Sequence, residues 1–211
     1  MDDEARAKAA TEQDPKLAGR IVRSLKQLED DYHVASVTLS EKLMLAVVQA
    51  LKKVVPEPFK VVENDLTAAI HVAGWRATRG VGQDFVLELG EVCADEDREY
   101  CWLSVATATG PTRLGLEFVC RPGLREAATK IILADKLMGA AWKAGFVRDE
   151  REARLFIPIV VPAELLAQGM EANDLDKALA PVTKAAEQAI AAMPELDKIV
   201  EAVRTAAKVS K

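Results

Sequence analysis

Apolar residues recur along this chain at two periods, and the period changes twice. From Pro15, the residues Leu17, Ile21, Leu25, Leu28 and Tyr32 return every three or four positions, which places them on one face of a helix. A second helical stripe follows at Leu43, Val47, Leu51 and Val54. Thr38 and Glu41 precede it with the spacing of a capping box, and Pro56 and Pro58 end it. The pattern predicts an N-terminal helix pair. After Phe59 the period falls to two. Leu66, Ala68, Ile70 and Val72 alternate with Thr67, Ala69, His71 and Ala73, and Phe85, Leu87 and Leu89 alternate with Asp84, Val86 and Glu88. Tyr100–Thr107 is rich in aromatic and β-branched residues, and Leu114, Leu116 and Phe118 alternate again. Turn residues at Gly80-Val81-Gly82 and Gly110-Pro111 and an acidic connection at Glu91–Glu99 link these segments. Four strands with such links predict an antiparallel meander.

The helical period returns at Pro122 and runs to about Ala144, with Gly145 as a C-cap, so one long helix is expected. Arg154–Val161 reads as a strand. Pro158 cannot donate to a ladder, which makes it an edge or bulged strand. Helices are expected over Ala163–Gln168, from Asp174, from Pro181, and after Pro194, where Leu196, Ile199, Val200 and Val203 share a face. The fold class expected is α+β. Residues 1–14, with five acids and two bases, read as a mobile acidic tail. Residues 15–211 carry no Gly/Ser/Pro-rich linker and read as a single domain: helical over 15–58, sheet plus long helix over 59–162, and a helical extension over 163–211.

The segment AGFVRDEREARLFIPIVVPAELLAQ follows the long helix with a glycine stop, a charged turn, an apolar strand and a helix. This order of elements resembles the small α/β fold of type III secretion chaperones and related domains. The resemblance covers roughly residues 38–190 and rests on element order. A second strand after the long helix, usual in that fold, is not evident from the sequence. The resemblance implies a dimeric protein-binding module.

Composition narrows the function classes. Half of the 211 residues are apolar and 29% are charged, which suits a folded core rather than a disordered chain. Lys+Arg is 28 against 33 Asp+Glu, a net charge of −5, which argues against general nucleic-acid binding. Leu43–Val48 and Leu155–Val161 fall well short of the roughly 20 residues that span a bilayer, so no membrane segment is expected. Met1–Asp14 has no basic start followed by an apolar stretch, so no secretory signal is expected. Cys93, Cys101 and Cys120 are odd in number and widely spaced, which suits free thiols in a cytoplasm.

Candidate chemistry is thin. The histidines are His33 and His71, and no pair of ligands stands at metal-binding spacing, so no metal or cofactor is expected. On the predicted sheet, Cys101 and His71 could meet across neighbouring strands as a thiol and a base. Asp84, Glu88 and Glu117 could form a carboxylate site, but the neighbouring predicted strand offers no lysine, and a solvated sheet face fits the alternation directly and is the favoured reading. Arg121 and Arg125 flank a helix start, where an anion would be favoured, or are ordinary surface arginines. Tyr100 and Trp102 lie on a segment apolar on both faces, which is either covered on both sides or an aromatic binding patch. Trp75, Trp102 and Trp142 could line an apolar pocket.

The leading expectation is a non-enzymatic protein-binding module, an adaptor, chaperone-like domain or inhibitor. It would work as a dimer or with another protein, through Leu196, Ile199 and Val203 and the aromatic residues. The alternatives are a binder of small or lipid-like ligands, and a carboxylate-dependent enzyme using Asp84, Glu88 and Glu117.

Overall fold

A computed structural model describes residues 15–64, 67–77, 82–92, 101–109, 112–149 and 153–209. The expected acidic tail at 1–14, Tyr100, Cys93 and most of the acidic connection lie outside the described residues. The fold is α+β, built on an antiparallel sheet of six strands among the described residues. In chain order these are β1 (Lys60–Asn64), β2 (Thr67–His71), β3 (Phe85–Val92), β4 (Arg113–Cys120), β5 (Val147–Asp149) and β6 (Arg154–Ile159). They lie in the order β1-β2-β3-β4-β6-β5.

A four-stranded meander is present, but one member differs from expectation. Lys60–Asn64 is the additional member, pairing with Thr67–His71 at the sheet edge, and β3 pairs directly with β4, so no strand from the segment expected at Tyr100–Thr107 lies between them. Within the latter segment, Trp102–Ala106 is instead a short helix, α3. The Ser104 hydroxyl donates to the Cys101 carbonyl and the Thr107 hydroxyl to the Leu103 carbonyl, which holds the turn. Val105 and Ala106 are buried, and the Val161 amide donates to the Ala106 carbonyl. A short apolar run has no period long enough to separate helix from strand, so this contact with the chain near residue 161 decides it.

Cross-strand partners share a face of the sheet. Ile70 stands opposite Leu87, Leu87 opposite Phe118, Leu89 opposite Leu116, and Leu116 opposite Ile157. All are buried, and they form the core face of the sheet. Trp75 packs edge-on against Phe85 and Phe118, which stack on each other. The strand expected at an edge lies inside the sheet, between β4 and β5, but β5 pairs only as far as Phe156, so Pro158, opposite Gly115 in β4, has no neighbour on its other side in that strand. The second strand after the helical stretch is therefore present as β5, whose three residues were too few to show a period.

The N-terminal helix pair is one continuous helical rod. Helix α1 (Pro15–His33) passes through a π-helical segment, Val34–Leu39, into α2 (Ser40–Val54). Thr38 lies inside the rod and no side chain caps α2, so the predicted capping box is not used. The Ser40 hydroxyl donates to the Ala35 carbonyl within the π segment. The predicted α2 stripe holds: Leu43, Val47 and Leu51 are buried, and the helix ends at Val54, before the prolines. Because the rod is continuous, Gly19–Val54 is long and apolar enough to cross a membrane by length and composition, contrary to expectation. Its α2 half instead supplies Leu43, Met44, Val47, Val48 and Leu51 to the protein's own core.

The expected long helix is broken. Pro122–Leu124 is a 3₁₀ turn, α4 spans Arg125–Leu133, and α5 spans Gly139–Lys143. Asp135 takes the left-handed conformation, φ 61°, a region that Asp tolerates better than most residues. Its carboxylate accepts from Trp142 Nε1 at 3.1 Å, which ties the connection to α5. The break lets Ile132, Met138 and Ala141 all enter the core. Gly145 has φ 96° after α5, as a C-cap requires. Helices α6 (Ala163–Ala172), α7 (Ala180–Ala191) and α8 (Met193–Val209) complete the chain, with Pro181 in the first turn of α7.

Candidate interaction arm and a charged cleft

Helix α1 is exposed from residue 20 to residue 33. The stripe on its face is the one the period predicts, yet no described element covers it. Ile21 is 40% exposed, Leu25 51%, Leu28 48% and Tyr32 57%, with Val22 at 72%. A covered amphipathic helix would show these residues near zero, as α2 does. The exposed apolar residues Ile21, Val22, Leu25, Leu28 and Tyr32 lie together on this arm, and the sequence period gave no sign that the face would be left open.

The predicted contact residues of α8 are placed differently. Leu196, Ile199 and Val203 are each 0% exposed, so that face is engaged inside the protein and not offered to a partner. Asp197, on the same helix, accepts from Trp75 Nε1 at 2.7 Å. Trp75 is buried beneath it, and Trp102 is half-buried against the core. Trp142 lies apart, 5.9 Å beneath the Arg148 guanidinium. The three tryptophans line no common cavity among those described. Cys101 precedes α3, off the sheet, so the predicted Cys101–His71 meeting across strands does not form. His71 ends β2 half-buried, where burial and then Arg76 lower its pKa. His33 is exposed at the end of α1.

The three carboxylates of the sheet separate into two environments. Asp84 is buried at the start of β3. Its Oδ2 accepts from Arg204 Nε at 3.1 Å and lies 3.0 Å from Arg204 Nη2. Arg121 Nε approaches Oδ1 to 2.7 Å, as an ion pair rather than an aligned hydrogen bond. Arg204 also donates to the Gly74 and Arg76 carbonyls. Asp84 thus fastens the sheet to α8. Arg121, predicted as an anion contact, holds this internal carboxylate.

Glu88 and Glu117 stand directly opposite each other on β3 and β4. They line an open cleft of about 450 Å³ with Cys120, Arg125, Thr129 and Arg154. Arg154 grips Glu117 through two hydrogen bonds, Nε to Oε1 at 2.9 Å and Nη2 to Oε2, and also donates to the Glu91 carbonyl. Arg125, the other predicted anion contact, is exposed at this cleft. Neither Arg154 nor Arg204 could be paired with its carboxylate from sequence, because the partners lie 37 and 120 residues away. Among the described residues no group of three His, Cys, Asp or Glu is placed to hold a metal ion.

Cys120 gives the cleft little nucleophilic character. Burial, the largest effect, pushes its thiol pKa up, while Arg125 acts weakly the other way. The protonated thiol is a poor nucleophile. At neutral pH, peptide-resolved mass spectrometry should find Cys120 alkylated about tenfold more slowly in the folded chain than in urea. Equal rates would show the thiolate to be available.

No family model matches the chain, and comparison with curated proteins and with solved structures likewise finds no match.

Proposed function

We propose that the protein is a non-enzymatic protein-binding module, of adaptor, chaperone-like or inhibitor type, whose contact element is helix α1. The observation that carries this reading is the uncovered apolar stripe Ile21, Leu25, Leu28 and Tyr32 on a helix held clear of the core. An amphipathic helix of this kind recognises an apolar groove or a second helix through anchors three and four residues apart. Two of the three sheet carboxylates are matched internally: Glu117 by Arg154, and Asp84 by Arg121 and Arg204. That pattern favours a structural role for them over turnover. The free thiols Cys101 and Cys120 suit a cytoplasmic setting.

The test is a photo-crosslinking amino acid placed at Leu25 or Leu28 in the native host, with Lys177, exposed on the opposite end of the chain's sequence, as the control position. The arm positions should give discrete protein adducts and the control none. No adduct from the arm, or the same ladder from both, would overturn the reading.

A further inference from the structure

We infer that the partner of α1 is a second copy of the same helix, paired with it antiparallel; this rests on the reading of α1 as the contact element and goes on to name its occupant.

Two independent features of the arm point there. The first is rhythm. Ile21, Leu25, Leu28 and Tyr32 are spaced four, three and four, the alternation that builds a seam between two helices. All four are exposed, so the seam is unoccupied by the chain's own described elements. The second is charge. Lys16, Arg20, Arg23 and Lys26 fill the first two thirds of α1, and Glu29, Asp30 and Asp31 the last third. No acid lies in its first turn. This order runs against the helix dipole, which favours acids at an N-terminus, and places bases N-terminal to acids, the weaker order for pairs within a helix. For Arg23, Lys26 and the three acids the segregation therefore gains little from the dipole or from pairs along α1.

It does serve a second copy. When two such helices run antiparallel with Leu25 against Leu28, Ile21 falls against Tyr32. Glu29, Asp30 and Asp31 then lie at the height of residues 22–24 of the second copy, among Arg20, Arg23 and Lys26. A parallel pair would stack six acids at one level, and like charges at that distance repel. The same mixture of signs disfavours a lipid surface, for which a uniformly basic polar face is the usual complement. Exposed ion pairs add little affinity each, so the apolar seam supplies attraction while the charges choose direction.

Sedimentation equilibrium of the full chain over a series up to about 100 µM should show conversion to twice the chain mass. Leu25→Asp with Leu28→Asp should hold the chain at its single mass while leaving its melting curve in place, since both side chains are about half exposed in the single chain. A chain with all six charges reversed (Arg20, Arg23 and Lys26 to Glu; Glu29, Asp30 and Asp31 to Lys) should pair with itself and not with the wild type. Preferential mixed pairs would overturn the antiparallel arrangement. A wild-type chain that stays at single mass throughout would overturn self-pairing. If crosslinks from Leu25 in the host then lead to another protein, the module reading survives that loss; if there are none, both fall.

Discussion

A chain ending at Met193 is expected not to fold. Helix α8 contributes Leu196, Ile199, Val200 and Val203 to the core, all at 0–1% exposure. Burial of one large aliphatic side chain is worth about 1.5–3 kcal/mol, so these four together approach the ~5–15 kcal/mol that holds a whole domain together. The same cut removes Asp197 from Trp75 and Arg204 from Asp84, leaving a buried indole N–H without its acceptor. Circular dichroism on heating should show no cooperative transition, and proton NMR should show poor dispersion. A truncated chain that melts cooperatively within a few degrees of the full one would refute the placement of α8 in the core.

Asp84→Ala should be the most damaging single change among the charged residues. It leaves Arg204, 13% exposed by side chain, with its guanidinium inside the protein and only the exposed Glu201 carboxylate at 3.1 Å to face it. Breaking a buried pair from one side costs about 3–5 kcal/mol, because the remaining charge stays desolvated. For a chain of this size each kcal/mol lowers the melting temperature by about 2–4 °C. Arg121 is nearly half exposed and can rehydrate, so Arg121→Ala should cost much less. Adding Arg204→Met to Asp84→Ala should recover part of the loss, as the desolvated charge goes with it. Urea titration of the four chains checks this. Additive losses would mean that Asp84 and Arg204 do not act as a unit.

The contrast between α1 and α8 shows where reading from sequence stops. Both have a clear apolar stripe, and the period places each stripe on one face correctly. Periodicity reports that a face is apolar, not what lies against it. The period leads to a partner surface on α8 and assigns no such role to α1, whereas the structure buries the α8 stripe and leaves that of α1 exposed. The deciding factor is position in space: α8 packs beside Trp75 and α4, while the rod carries α1 beyond the sheet.

Local chemistry was legible wherever a residue's own backbone limits its choices. Pro56 and Pro58 stop α2, Gly145 closes α5, and alternation places Leu87, Leu89, Leu114 and Leu116 on the buried face of β3 and β4. The α+β class followed from those periods alone. Three features depended on contacts beyond a residue's immediate neighbours: the turn of Trp102–Ala106 into a helix, the break at Asp135, and the pairing of Asp84 with Arg204 and of Glu117 with Arg154. In each, local propensity leaves two conformations or several partners close in energy. A hydrogen bond or a buried side chain from elsewhere in the chain then selects one, and that selection exists only once the tertiary structure has formed.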